Sequence, residues 1–323
     1  MIGRMRLLVA HSEPGAGRAW RDALAARLPG AEIAIDRGTP DGAGPGVARD
    51  GFDADWAVGW NPPADFFARQ PRLRAFFSSG AGVDFLLRHP GLPAALPVVR
   101  LEDAGMAALM ADYCLHELLR IAGRFDDYAA QQAAGRWVEH APIPRAELPV
   151  GVFGVGVIGA QVASTLARAG FTVRGFARGP REVEGVEVLY GASRFREFLA
   201  ATRVLILLAP RTPDTEDLID ADVLGRLRPG GWLINIARGA LVVDADLVAA
   251  LDAGRLAGAT LDVFREEPLP AVHPFWHHPR IRVTPHVSGP TQVAVSAAQV
   301  ADKLVRLARG EPVGGLVDRA RGY

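Results

Sequence analysis

Three glycines, in Gly154-Val155-Gly156-Val157-Ile158-Gly159, lie between an aliphatic run at 149–153 and an alanine-rich amphipathic run at 161–169. The spacing G-x-G-x-x-G between a strand and a helix is compatible with few folds. The first glycine permits a tight turn, the second lets a pyrophosphate approach the backbone, and the third lets helix and strand pack closely. The helix N-terminus then turns unpaired N–H groups and a positive dipole end toward the anion. Gly154, Gly156 and Gly159, with Val157 and Ile158 in the first turn, are therefore candidate cofactor-binding residues in a dinucleotide-binding α/β unit.

The same texture runs through the chain. Short β-branched or aliphatic runs end in Gly, Pro or polar turns and are followed by alanine-rich, arginine-studded amphipathic stretches, the pattern of βαβ units on a parallel sheet. Strands are expected at 6–10, 31–35, 56–60, 75–78 and 97–100, then at 150–153, 172–176, 204–208, 232–236, 260–263 and 282–284. Helices are expected at 18–28, 106–122, 157–169, 194–200, 220–226, 244–253 and 293–309. The polar, proline-containing stretch 124–149 reads as a connector. With 323 residues the chain has room for about two domains.

Charge and cysteine usage exclude several classes. Lys+Arg and Asp+Glu are both 36, so the basic excess of a nucleic-acid binder is missing. The single cysteine, Cys114, cannot form an intrachain disulfide and lies in an apolar helical stretch, where it reads as core. The apolar run near the N-terminus is too short for a secretory leader and reads as a first strand. No uncharged apolar run reaches the roughly 18 residues of a membrane span. A cytoplasmic enzyme is the simplest expectation.

The strand after the glycine loop bears on the choice of cofactor. An NAD site places an acid about 20 residues beyond the glycines, on the ribose 2′-hydroxyl. Here the strand ends Ala177-Arg178-Gly179-Pro180-Arg181 with no acid. An acid repels a 2′-phosphate and arginine grips it, so Arg178 and Arg181 predict NADP(H) preference with NAD(H) still possible.

Three further motifs end predicted strands or follow them: Asn235-Ile236-Ala237-Arg238-Gly239, Leu261-Asp262-Val263-Phe264-Arg265-Glu266-Glu267-Pro268 and Thr284-Pro285-His286. Ligands of open α/β sheets bind outside the carboxyl ends of strands, where such an Arg, Glu and His can converge. With the glycine loop, these motifs resemble the D-isomer-specific 2-hydroxyacid dehydrogenases over nearly the whole chain. Trp60-Asn61-Pro62-Pro63, Gly80-Ala81-Gly82-Val83-Asp84, Leu101-Glu102-Asp103, Arg124-Phe125-Asp126-Asp127-Tyr128 and the tail 317–323 resemble one branch of that family, glyoxylate/hydroxypyruvate reductase A.

The resemblance implies roles. His286 is the expected general acid, since imidazole can give a proton near neutral pH to the alkoxide left by hydride addition. Glu267 is expected to bond the other ring nitrogen and favour the imidazolium, with its neighbour Glu266 left to solvent. Arg238 is expected to grip the substrate carboxylate and polarise the keto oxygen. Backbone N–H groups around Ala81 and Gly82 are expected to meet the carboxylate, Asp262 the nicotinamide carboxamide, and Trp60 the wall of a small pocket. His273, His277 and His278 cluster in sequence, but with no nearby cysteine and with flanking prolines they do not read as a metal site, and no metal is expected. The long helix departs from the family's usual early acid: it offers Asp112, shorter than the usual Glu.

The architecture implied is α/β, with two lobes, Rossmann-like and flavodoxin-like, built on parallel sheets and crossed twice by the chain. Residues 1–103 with 290–323 are the expected substrate-binding (catalytic) domain, and 104–289 the NAD(P)-binding Rossmann domain. Hinge closure between such lobes excludes water around a hydride. The helix 106–122 looks more apolar than one lobe's exterior needs, which together with the family resemblance predicts a homodimer through the Rossmann domain. The favoured activity is NADPH-dependent reduction of glyoxylate to glycolate and of hydroxypyruvate to D-glycerate. The alternatives are a dehydrogenase of a bulkier 2-keto acid and a catalytically weak dinucleotide-sensing protein. The expected partner is a small 2-keto or 2-hydroxy acid, with no nucleic acid and no membrane.

Overall fold

The structure is a computed structural model that describes residues 5–44, 46–48 and 51–323. Residues 1–4, which open the stretch weighed above as a leader and the expected first domain, lie outside the described residues. The chain divides into two compact units: one comprises the residues up to Gly105 together with Thr291–Tyr323, the other Met106–Pro290.

The first unit runs β1 (Arg6–His11), α1 (Ala16–Ala25), β2 (Glu32–Ile35), β3 (Trp56–Trp60), α2 (Phe66–Arg69), β4 (Ala75–Ser78), α3 (Asp84–Leu87) and β5 (Val98–Val99). Its strands pair in parallel in the order β2-β1-β3-β4-β5. This flavodoxin-like order changes direction between β1 and β3. A parallel sheet is covered on both faces, so central strands are apolar throughout; accordingly Leu7, Leu8, Val9 and Ala10 of β1 are completely buried. Gly59 of β3 lies so close to β1 that a Cβ there would come within 1.8 Å of the Ala10 carbonyl oxygen.

The second unit runs α4 (Met106–Ala122), α5 (Phe125–Ala133), β6 (Val150–Phe153), α6 (Val157–Arg168), β7 (Val173–Ala177), β8 (Glu187–Tyr190), α7 (Ala192–Ala200), β9 (Val204–Leu207), α8 (Ala221–Arg226), β10 (Gly231–Asn235), α9 (Asp244–Asp252), β11 (Leu256–Leu261) and β12 (Ile281–Val283). The sheet order is β12-β11-β10-β9-β6-β7-β8, with every pairing parallel. Counted from β6 as the first strand, this is the Rossmann order with one strand added at the far edge, and its direction reverses between β6 and β9. α10 (Val293–Ala308) then returns to the first unit and packs on α1.

Several elements differ from the sequence reading, which expected neither α2 nor α3. The presumed connector contains α5, whose sequence FDDYAAQQA buries only Gln131 and so lacks an apolar stripe. Asp126 and Asp127 in its first turn favour the positive end of the helix dipole. β8 is an edge strand with only Leu189 buried, too little apolar surface to stand out. β11 starts at Leu256 rather than near 260, so Asp262 lies just past its end.

The premise that α4 is more apolar than its own lobe requires is also corrected. Met110, Ala111, Cys114, Leu118 and Ile121 belong to one core cluster with Val150, Val152, Val162, Ala163 and Leu166. The helix is apolar because its own unit buries it.

α4 also buries an acid that the sequence does not flag. Glu117 is 1% exposed and its Oε2 accepts from Arg120 at 2.9 Å and from the Thr260 hydroxyl at 2.6 Å, while Arg282 approaches Oε1 at 3.4 Å. Arg120, itself buried, pairs also with Asp126 and lies over the Trp232 ring. Asp112 by contrast is exposed. Removing one member of a buried ion pair leaves the other charged without compensation, at a cost of about 3 kcal/mol or more. Glu117→Ala should therefore destabilise the second unit by about 3 kcal/mol, read as a lowered denaturant midpoint in Trp232 fluorescence. Glu117→Ala with an unchanged midpoint would show that the network contributes nothing.

Candidate active site

The glycine loop joins β6 to α6 at the point where the strand order reverses. Gly154 has φ 106°, and a Cβ there would lie 2.4 Å from the Ala209 nitrogen. A Cβ at Gly159 would lie 2.0 Å from the Gly154 oxygen. Both positions are restricted to glycine by backbone packing. Gly156 is different, because a Cβ there would meet nothing within 4 Å. Packing does not require this glycine, so close approach of a ligand is the remaining physical reason for it. Gly156 caps α6 without a side-chain hydrogen bond, and its carbonyl first accepts from the Ala160 N–H at 2.9 Å. The N–H groups of Val157, Ile158 and Gly159 thus occupy the first turn, where an α-helix has no carbonyl to offer them. The loop fits a dinucleotide pyrophosphate.

Arg178 and Arg181 are both exposed beyond β7. Arg181 donates from Nη1 to the Val155 carbonyl at 2.9 Å, which holds its guanidinium beside the glycine turn. Nothing in the sequence pattern indicated that bond.

Arg238, Asp262, Glu267 and His286 all follow carboxyl ends of neighbouring strands: β10 for Arg238, β11 for Asp262 and Glu267, β12 for His286. Asn235, 1% exposed, braces the first loop by accepting from the Ala237 N–H at 3.1 Å and donating to the Arg238 carbonyl at 2.9 Å. Gly239 presses this loop onto the next, since a Cβ there would lie 2.0 Å from the Phe264 carbonyl carbon. Arg238 itself donates to the Ala237 carbonyl at 2.7 Å.

His286 Nδ1 and Glu267 Oε2 are 2.7 Å apart, and Glu267 Oε1 accepts from the Phe264 N–H at 2.8 Å. Burial pushes the Glu267 carboxyl up, but the hydrogen bonds from His286 and Phe264 and the charges of His286 and Arg238 outweigh it. The net effect holds the group below the ordinary value of 4.5. Glu267 is therefore ionised at neutral pH. Its contribution to stability is present above pH 4.5 and is lost as the pH falls through the lowered folded-state value. Engaging Nδ1 leaves Nε2 as the ring nitrogen for other chemistry, on a side chain 44% exposed. Glu266 is exposed.

Asp262, expected at the cofactor, has a structural role as well. It is completely buried, and its carboxylate holds the His286 turn. Oδ1 accepts from the Thr284 hydroxyl at 2.6 Å and from the Val287 N–H at 2.9 Å, and Oδ2 accepts from the Ser288 N–H at 2.9 Å. The His286 N–H donates to the Asp262 carbonyl at 2.9 Å. His286 adopts φ 54°, a left-handed conformation rare outside glycine, so these bonds stabilise a costly backbone. Neither Thr284 nor Asn235 was singled out from sequence, because a buried hydrogen bond leaves no periodic signal.

In the first unit, Trp60 ends β3, and Ala81 and Gly82, both half-buried, follow β4. The Trp60 ring lies on the backbone of Gly80, where a Cβ would be 2.5 Å from Cζ3, and against Phe85 with ring centroids 4.1 Å apart. The histidine cluster diverges. His273 faces Asp244 at 3.6 Å and His278 faces Asp252 at 3.3 Å, at opposite ends of α9. Among the described residues, no group of three or more His, Cys, Asp or Glu is placed to hold a metal ion, and no helix is long and apolar enough to cross a membrane.

A Rossmann sheet with this glycine turn, and with Arg238, Glu267 and His286 along its carboxyl edge, has the arrangement of a dinucleotide-dependent oxidoreductase. Comparison with known proteins agrees. Residues 115–288 match the family model of the D-isomer specific 2-hydroxyacid dehydrogenase, NAD binding domain. A relative in Yersinia enterocolitica, glyoxylate/hydroxypyruvate reductase A, is 41% identical over 309 residues, covering 94% of this chain and 96% of its own. A D-isomer specific 2-hydroxyacid dehydrogenase from Xanthobacter autotrophicus, solved with NADPH and MES, superposes with a TM-score of 0.92 at 40% identity, covering 99% of this chain and 100% of that one. The NADPH-dependent glyoxylate/hydroxypyruvate reductase of Sinorhizobium meliloti, solved with NADP and sulfate, superposes with a TM-score of 0.90 at 35% identity and the same coverage. The chain belongs to the D-isomer specific 2-hydroxyacid dehydrogenase family.

The glycine geometry separates packing from ligand approach. Gly156→Ala should keep the wild-type melting temperature within about 2 °C while weakening NADPH binding at least about tenfold. Gly159→Ala should lower the melting temperature itself. Differential scanning fluorimetry with and without NADPH distinguishes the two; equal destabilisation by both substitutions would contradict this division of roles.

Proposed function

We propose that this enzyme reduces short 2-keto acids, glyoxylate to glycolate and hydroxypyruvate to D-glycerate, using NADPH. The observation that carries the reading is the 2.7 Å contact of His286 Nδ1 with Glu267 Oε2, because it presets a histidine to deliver a proton from Nε2. The names of the Yersinia and Sinorhizobium relatives support the substrate class, and the two dinucleotide-bound neighbours support NADP(H) as the cofactor.

The dinucleotide is held by the N–H groups around Gly154–Gly159, with Arg178 and Arg181 reading its 2′-phosphate. When bound, it supplies the hydride that goes to C2 of the keto acid. Arg238 pairs with the substrate carboxylate and draws charge toward the keto oxygen. His286 gives its Nε2 proton to that oxygen as it becomes an alkoxide. Glu267, ionised as derived above, offsets the positive charge on the imidazolium before that transfer. Within the first unit, the N–H groups of Ala81 and Gly82 are the candidate substrate-binding donors. Trp60, wedged on Gly80 and Phe85, limits side-chain size and favours the short acids over bulkier ones. We assign substrate binding to the first unit and dinucleotide binding to the second. The cytoplasm, where reduced pyridine nucleotide is available, is the compartment this reading assigns.

The test is loss of NADPH absorbance with glyoxylate and with hydroxypyruvate, repeated with NADH. Turnover should be rapid with NADPH and poor with NADH. His286→Ala should lower kcat by about 10²–10⁴-fold. Arg178→Asp should raise KM for NADPH about tenfold while barely changing that for NADH. Turnover of bulkier 2-keto acids alone would move the substrate assignment. NADPH binding without turnover of any 2-keto acid would favour the dinucleotide-sensing alternative.

We also propose a homodimer through the second unit. The support is no longer the apolarity of α4 but exposed apolar surface beyond it: Trp137 is 93% exposed, Phe125 57% and Val138 52%. Large apolar side chains exposed to that degree mark association surfaces when grouped. Light scattering should give about twice the chain mass of 34.4 kDa, and Trp137→Arg should shift the protein toward monomer. A wild-type protein that is monomeric at micromolar concentration would remove the proposal.

A further inference from the structure

The chemistry above leaves Tyr113 of α4 without a task. Tyr113 is half-buried, and its hydroxyl lies 2.7 Å from Thr284 Oγ1. Thr284 Oγ1 in turn lies 2.6 Å from Asp262 Oδ1. The bond directions follow from proton count. A carboxylate only accepts, so the single hydroxyl proton of Thr284 is committed to Asp262, and Tyr113 must donate to Thr284. Tyr113 therefore has to keep its proton. Burial, helped by the negative charges of Asp262 and Glu117, raises its phenol well above the ordinary range despite the opposing bond to Thr284.

The far end of this chain of bonds is the turn that carries His286. Asp262 collects Thr284, Val287 and Ser288, and its backbone carbonyl accepts from His286 itself. A left-handed histidine persists only where its surroundings over-determine it. α4 backs the whole segment along one face. Met106, Met110, Tyr113 and Glu117 recur at helical spacing. A Cβ on Gly289 would lie 2.8 Å from Met110 Cγ and 3.8 Å from Met106 Cβ, while Glu117 bonds Thr260 and faces Arg282. Glu267 fixes the ring of His286 from one side, and the Tyr113 stripe fixes its backbone from the other.

We propose that Tyr113 is a positioning residue for the reaction, holding the His286 turn in register through Thr284 and Asp262. The proposal rests on His286 being the proton donor, as argued above. Hydrogen bonds in series polarise one another, so loss of the first weakens the second. Tyr113 touches no reacting atom in this assignment, and its effect is expected in kcat rather than in binding.

The experiment compares wild type, Tyr113→Phe, Thr284→Val, Thr284→Ser and the Tyr113→Phe/Thr284→Val double variant with NADPH and glyoxylate. Tyr113→Phe should lower kcat about tenfold, with KM and NADPH affinity within about twofold of wild type. It should also shift the limb of the pH–rate profile that His286→Ala abolishes. Glu267, bonded to that histidine, and Arg238, whose charge acts on Glu267, both remain in place. Thr284→Val should lose at least as much as Tyr113→Phe, and the double variant no more than Thr284→Val alone, because the residues act in one chain. Thr284→Ser, which keeps the hydroxyl, should recover kcat to within about threefold. Additive losses in the double variant, or an unchanged kcat and pH profile in Tyr113→Phe, would overturn the proposal. A second readout needs no turnover. The ring ¹⁵N resonances of His286, identified by their loss in His286→Ala, should move in Tyr113→Phe and stay in place if Tyr113 only fills space. A wild-type protein inactive on every 2-keto acid would overturn the function proposed above, and the ring resonances would still decide the role of Tyr113.

Discussion

Parallel pairing constrains everything else in the second unit. A buried parallel strand has all its backbone groups bonded sideways and its side chains covered on both faces, so polar chemistry can emerge only where the strand ends. β10, β11 and β12 are adjacent, and the loops at their carboxyl ends carry Arg238, then Asp262 and Glu267, then His286. Register does the rest, since Asn235 pairs with Leu261 and Leu261 with Val283, which brings the three exits level. The glycine turn lies farther along the same edge, where the strand order reverses between β6 and β9.

The loops beyond those exits are held by buried polar groups. Asn235 spans its own turn, Asp262 gathers three donors, and Gly239 lets two loops touch backbone to backbone. A buried polar group left without partners costs more than a satisfied one contributes, so such knots tolerate few alternative arrangements. That intolerance is useful at a site whose histidine has a left-handed backbone. Glu267 shows the same balance in its ionisation: burial works against the charge, and four separate favourable contributions win.

The most legible features were those with a short-range reason. Gly154 is decided by a turn, and α4 and β4 by apolar runs whose limits the sequence reading matched residue for residue. β8 and α5 escaped notice because one is an edge strand and the other a polar helix, neither with a clear periodic face. Glu117 carries no sequence signal of its burial. It is a buried partner of Arg120 and Thr260, residues 3 and 143 positions away. The resemblance placed Asp262 at a ligand, and no local pattern showed that its carboxylate also accepts from residues more than 20 positions farther on.

Local chemistry in the chain was thus enough to set the α/β class, the glycine turn and the arginine, rather than an acid, that follows the second strand of the dinucleotide-binding unit at Arg178, while the roles of Arg238, Glu267 and His286 came from the family resemblance. The first three are properties of residue types at short spacing, where periodicity and turn sterics act without knowledge of the rest. Folding alone decided that Asp262 holds a turn, that Arg181 leans on Val155, and that Tyr113 reaches Thr284 across 171 residues. A hydrogen bond depends on the position of its partner to within a few tenths of an ångström, and only the packed sheet and helices set distances that finely between residues so far apart in the chain.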